Sequence, residues 1–332
     1  MTGGAGFIGS ELVQQLSTQD ADVIVADNLI NGRRENLEQS FKYGADLVVA
    51  DIRDKNRMED LIRGIDIIFN LACLGVRHSL HSPLENHEVN STAILSLLMI
   101  ARKAGIKRFI HISSSEVYGT AIHVPMTEEH PTFPMTVYGA SKLAGESYAR
   151  AFHRTYGFSV VIVRPFNTYG PHCHHEGDSG EVIPKFLLRS LVGRQIIIFG
   201  DGTQTRDFLH VSDSARGILL AGLSDDAVGQ TINLGSGNEI TIAELAREVI
   251  SVSGRQDTPV VHDAPRPGDT MHLYADIGKA NHILGFQPKV TLREGLENLK
   301  NWYLSLGQPP EVLLEREVVH NWESGGLHIN GA

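Results

Sequence analysis

Apolar and polar positions alternate along this chain with two periods. Short β-rich runs recur at Ala21 to Ala26 (ADVIVA), Asp46 to Ala50, Asp66 to Leu71, Phe109 to Ile112 and Ser159 to Arg164 (SVVIVR), and each reads as a strand. Between them lie segments with apolar residues at helical spacing: Leu12, Val13 and Leu16, then Asn56 to Arg63, then Ser91 to Ala104, whose periodic positions are Ala93, Ile94, Leu97, Leu98 and Ala101. Gly105 ends the last of these. Strands that alternate with helices predict an α/β fold with a doubly wound parallel sheet. From about Asn167 the pattern becomes irregular, with a helix around Ile183 to Leu191 and a strand at Gln195 to Phe199. A smaller substrate-covering domain is expected there, giving domains at 1–166 and 167–306 and a tail at 307–332, with segments near 207–234 rejoining the large sheet.

The first helix changes this picture, because glycines precede it. Gly3, Gly6 and Gly9 stand at the spacing that lets a backbone turn tightly, approach a pyrophosphate and pack a helix on a strand. The next strand ends in Asp27, 18 residues after Gly9, where a carboxylate can accept from an adenosine ribose hydroxyl. The fold expectation is therefore a Rossmann-type dinucleotide site. Asp27 would repel a 2′-phosphate, which favours NAD over NADP, although Arg33 and Arg34 lie nearby. Candidate cofactor contacts are Gly3, Gly6, Phe7, Ile8 and Gly9, then Asp27 and Asn28, Asp51 and Ile52 beside the adenine, and Leu71 and Ala72 at a later strand end. Only Met1 and Thr2 precede the loop, where such a fold needs an apolar strand inside the sheet. The expectation is that this strand is truncated and that the natural chain starts several residues earlier.

Polar residues crowd another strand end. Lys107 to Gly119 (KRFIHISSSEVYG) places Ser114, Ser115 and Glu116 after an apolar run, where open α/β sheets bind ligands. Tyr138 and Lys142 follow at helical i,i+4 spacing. An ammonium beside a phenol lowers a pKa that starts near 10 and makes a general base. The His172-Cys173-His174-His175-Glu176 run matches no zinc spacing, and no metal is expected. The formal charge of −10, without Lys/Arg blocks, argues against nucleic acid and acidic membranes. No leader or spanning run is present and there are only two cysteines, so a cytoplasmic location is expected.

Together these motifs resemble the extended short-chain dehydrogenase/reductase family, specifically its nucleotide-sugar epimerases and dehydratases, from Thr2 to about Tyr303. The resemblance implies that Tyr138 and Lys142 are the catalytic pair and also contact the cofactor, Lys142 through its ribose, and that Ser114, with Ser115 beside it, contacts the sugar. It implies that Asn167, Arg206 and Arg266, the last opening an Arg-Pro-Gly-Asp loop, hold a sugar diphosphate, and that two subunits pair through the helices near 91–104 and 138–153. Ser-Glu-Val-Tyr-Gly is similar to 4,6-dehydratases and to UDP-glucuronate decarboxylases, whereas 4-epimerases carry a small or hydroxyl residue at position 116. Glu116 therefore favours a 4,6-dehydratase in which it removes the C5 proton. The alternatives are a UDP-sugar 4-epimerase, a decarboxylase, or a non-catalytic relative that binds NAD or a nucleotide sugar. Ser115, where enzymes acting on dTDP-glucose carry Asp, argues against that substrate.

Overall fold

The computed structural model describes residues 1–19, 21–177, 179–266 and 270–322. Six parallel strands form the main sheet: β1 (Ile24–Asp27), β2 (Asp46–Val49), β3 (Ile67–Asn70), β4 (Arg108–Ile112), β5 (Val160–Pro165) and β6 (Thr231–Leu234). β2 pairs with β1 on one side, and β3, β4, β5 and β6 follow in that order on the other. Thr2 joins the two groups through parallel bridges to Ala26 and Asn70.

Met1 and Thr2 thus take the place of the strand expected to be missing, with two residues. Thr2 N–H donates to Phe69 O (3.0 Å), Ala26 N–H to Met1 O (2.8 Å), Gly3 N–H to Ala26 O (2.9 Å) and Leu71 N–H to Thr2 O (3.1 Å). The strand-end groups that face the stub are paired, because the stub lies at the C-terminal ends of its neighbours. A small cavity bounded by Met1, Ile24, Ile68 and Leu97 lies alongside.

Alternation along the central strands fills both faces. Phe109, Val160 and Ile162 pack with α2 (Ala93–Lys103) and with Ala149 and Phe152 of α3 (Val137–Tyr156), while Ile110, Val161 and Val163 pack with Leu12 of α1 (Phe7–Ser17) and Ile218 of α5 (Val211–Leu223). All six residues of β5 are buried, as a central parallel strand demands. Between α3 and α5, α4 (Val182–Leu191) belongs to another core, in which Phe186, Leu187, Ile198, Leu245, Val249 and Tyr303 are buried together. Among the described residues no helix is long and apolar enough to cross a membrane.

The segment expected as a simple helix start at Asn90 does something else. A π-type turn over Glu88–Thr92 leads into α2, and Asn90 is buried. Its Oδ1 accepts from Leu74 N–H (2.9 Å), and its Nδ2 donates to Leu74 O (2.8 Å) and Asn86 Oδ1 (3.1 Å). Ser141 Oγ in α3 donates to the same Asn86 oxygen (3.1 Å). This buried polar chain bolts the loop after β3 to the helix of Tyr138. Asn90→Ala leaves both Leu74 backbone groups without these partners, and a loss of about 3 kcal/mol of stability is expected in denaturant unfolding.

Candidate active site

Every candidate site residue read from the sequence lines one cavity of about 1260 Å³ between the C-terminal end of the sheet and the second core. Of the Arg266-Pro267-Gly268-Asp269 loop, only Arg266 lies among the described residues.

The glycine loop is closely fitted. A Cβ at Gly3, where φ is +69°, would lie 2.5 Å from Ala72 N, and one at Gly9 would lie 2.1 Å from Gly3 O. Gly6 begins α1 with no side-chain cap, which leaves first-turn N–H groups for an anion. Asp27 is buried; its Oδ2 accepts from Ala5 N–H and its Oδ1 from Leu29 N–H, both at 2.9 Å. The carboxylate that lines the cavity therefore also anchors the glycine loop. Arg33 is paired with Glu176 and Arg34 stacks on Phe41 at 4.8 Å, so both nearby guanidinium groups are engaged elsewhere than at Asp27. Asp51 accepts from Asn28 Nδ2 (3.0 Å) and from two Arg53 nitrogens (3.0 and 2.8 Å). Those Arg53 bonds hold its carboxyl down at about 2, against the opposing effect of partial burial. These residues fit an adenosine diphosphate with a free ribose 2′-hydroxyl.

At the end of β4, Ser114 Oγ accepts from Glu116 N–H (3.2 Å), which starts the short 3₁₀ turn Ser115–Val117 and brings Glu116 to the cavity wall. Tyr118 points away into the core. Its hydroxyl donates to Asn233 Oδ1 (2.7 Å), and Arg164 lies over its ring at 4.6 Å. Thr136 caps α3 by accepting from Gly139 N–H (3.1 Å) and so sets the first turn that carries Tyr138. Lys142 is buried, and its Nζ donates to Ile112 O at 2.7 Å.

The expected lowering of the Tyr138 pKa is not seen in the protein alone. Burial pushes the phenol well above its ordinary value, neighbouring Cys73, Glu116 and Glu181 push it the same way, and a hydrogen bond with Ser114 pulls it back. Burial in turn lowers Lys142, offset by Cys73 and Glu146. The ammonium that was to stabilise the phenolate is spent on a main-chain carbonyl.

The cavity also holds residues that the sequence did not single out. Cys73 is exposed in it, and its thiol is an electrostatic neighbour of Tyr138 and Lys142. Glu181, at the N-cap of α4, faces the same space; a carboxylate just before the apolar Val182-Ile183 was its only sequence signal. Arg77 and Lys185 add charge near Arg266 and Arg189. Asn167 Nδ2 donates to Asp207 O (3.1 Å), and Arg206 Nη1 donates to Thr205 O (2.8 Å) and Thr270 O (2.6 Å). The histidine run packs on aromatics instead of gathering, with His172 against Trp302 and His175 against Tyr303.

Comparisons with known proteins agree with this geometry. A sequence model of the NAD dependent epimerase/dehydratase family matches residues 1–235. The UDP-glucose 4-epimerase of Mycolicibacterium smegmatis is 36% identical over 315 residues, covering 93% of this chain and 99% of that one. UDP-glucuronic acid decarboxylase 1 of Arabidopsis thaliana is 36% identical over 307 residues, covering 90% of this chain and 68% of that one. The dTDP-glucose 4,6-dehydratase DesIV of Streptomyces venezuelae, solved with NAD bound, superposes with a TM-score of 0.86 at 35% identity, covering 92% of this chain and 96% of that one.

Burial raises the Glu181 carboxyl from its ordinary 4.5 to about 8. Between those values the folded chain keeps a proton that the unfolded chain has lost, so stability falls as pH rises through the window. Glu181→Gln removes the group, and its melting temperature is expected to exceed that of the wild type at pH 8 and to converge with it near pH 5. A gap that does not change with pH would contradict the assignment.

Proposed function

The chain belongs to the NAD-dependent epimerase/dehydratase family, and from that premise we propose that it is a nucleotide-sugar 4,6-dehydratase in which Glu116 removes the C5 proton. Its cofactor is NAD. Gly3, Gly6 and Gly9 would receive the pyrophosphate, Asp27 the adenosine ribose, and Asp51 and Ile52 the adenine edge. When bound, NAD supplies the hydride acceptor for C4, a hydride for C6, and a positive ring whose field favours a phenolate.

Tyr138 would take the proton of the sugar 4-hydroxyl while Ser114 hydrogen-bonds the same oxygen. Lys142 would hold the helix against β4 and contribute positive charge. A carbonyl at C4 makes the C5 proton acidic. Glu116, on the cavity wall and electrostatically coupled to Tyr138, is the carboxylate that supports removal of that proton. The departing 6-hydroxyl needs a proton as it leaves. Ser115 is buried and a poor acid, so the proton that Glu116 has just taken is the one at hand. Asn167, Arg206 and Arg266 would hold the diphosphate. Met99, 59% exposed on the outer side of α2, supports pairing of two copies through α2 and α3.

A second reading, a 4-epimerase, takes support from the 36% identity to the mycobacterial enzyme, a level that the plant decarboxylase shares. It needs only that the 4-ketose turn over and be reduced on its other face, and it leaves Glu116 a bystander. The two are separated by incubating the enzyme with a panel of UDP-, dTDP- and GDP-sugars and weighing the products. Loss of the mass of one water is expected, and Glu116→Gln should reduce that product by at least about 10²-fold, the contribution of a positioned general base. An isomer of unchanged mass that Glu116→Gln forms at the wild-type rate would support the epimerase, and loss of carbon dioxide would identify a decarboxylase.

A further inference from the structure

The C-terminal segment lies far from the motifs in sequence, yet it forms part of the cavity wall. After Leu313 and Leu314 bury themselves in the second core, the chain turns back over α4. Gly177 N–H donates to Arg316 O (2.8 Å), Lys185 Nζ to Val318 O (2.7 Å), Arg189 Nε to Glu317 Oε1 (2.8 Å) and Asn321 Nδ2 to Gly180 O (3.2 Å). The Arg189–Glu317 pair is almost wholly buried, with side-chain exposures of 10% and 7%. Glu317, Val319, Asn321 and Trp322 line the cavity. Trp322 meets Phe199 edge to face at 4.6 Å, and Arg266 stands over its ring at 5.8 Å.

One end of the cavity therefore combines an aromatic pair with a group of cations, Lys185, Arg189 and Arg266, that lie close enough to depress the Lys185 ammonium together with its burial. A planar apolar surface beside clustered positive charge suits a base joined to a diphosphate. We propose that residues 316–322 are a wall of a nucleoside-diphosphate site, with Trp322 packing on the base and Glu317 and Val318 setting Arg189 and Lys185 for the diphosphate. The inference rests on the nucleotide-sugar reading and assigns a part of that site to a segment outside the motifs. The strap is held by one ion pair and a few hydrogen bonds, so it is a specificity wall built on a stable core.

Calorimetric titration of the full chain, with its NAD, against UDP, dTDP and GDP tests this, with inorganic pyrophosphate as a probe of the cations alone. Trp322→Ala is expected to weaken whichever nucleotide binds best by about ten-fold, the scale of one lost aromatic contact. Pyrophosphate binding, NAD content and melting temperature are expected to stay as in the wild type, and Trp322→Phe should restore most of the affinity. Equal nucleotide affinity in wild type and Trp322→Ala would overturn the wall while leaving the nucleotide-sugar reading intact. A wild type that binds none of the three nucleotides would overturn both. A loss of pyrophosphate binding equal to that of the nucleotide would assign Trp322 to support of the cations and overturn the base contact.

Discussion

The buried hydrogen bond of Lys142 is one of the contacts that join the two halves of the proposed catalytic arrangement, beside that of Tyr138 with Ser114. The Lys142 ammonium, buried in α3, donates to the carbonyl of Ile112, the last residue of β4. The helix carries Tyr138; the strand end carries Ser114 and Glu116. A buried ammonium is costly unless charge and hydrogen bonds surround it, and one turn further along α3 Glu146 supplies the charge. Burial opposes ionisation of Glu146, but Arg164 donates to both of its oxygens, at 2.8 and 2.7 Å, and keeps its carboxyl below the ordinary range. Arg164 comes from β5 and is itself fully buried beneath the Tyr118 ring. Strand β4, helix α3 and strand β5 are thus locked by charges that would be strongly unfavourable singly. Removing Glu146 leaves Arg164 as a buried charge without its carboxylate, a change that costs roughly 3–5 kcal/mol in such pairs, whereas Glu146 keeps a second partner in Arg150.

That constraint bears on the chemistry. Burial raises the phenol of Tyr138 in the protein alone, and Cys73, Glu116 and Glu181 raise it further. Under the proposed function, positive charge from bound NAD would counter that field, and Tyr138 would act as base in the assembled complex.

Much of this was legible in the sequence. The strand and helix runs were placed to within a few residues, because both faces of β4 and β5 are covered and their apolar runs are unbroken. The glycine spacing, Asp27, Ser114, Tyr138 and Lys142 converge on one cavity, as strand ends of a parallel sheet do. What the sequence concealed depends on long-range contact. The stub of Met1 and Thr2 works through three backbone hydrogen bonds that no side-chain pattern records. Asn86 and Asn90 bolt a loop through side-chain hydrogen bonds that no apolar period records. The segment at 316–322 has no periodicity, so only its return to α4 reveals Trp322 at the cavity. The Tyr138 shift runs opposite to the i,i+4 expectation because burial dominates it, with Cys73, Glu116 and Glu181 adding to it.

The reaction turns on Glu116 and on the fate of one proton. Turnover in D₂O with the sugar nucleotide that the enzyme accepts, followed by mass and NMR analysis of the product, reads that proton directly. Loss of one water with a single deuterium at C5 is the expected result, because the proton that Glu116 takes from C5 leaves with the 6-hydroxyl as water and C5 is protonated again from solvent. A product that retains its original C5 hydrogen, whether or not C4 has changed configuration, would contradict proton removal at C5.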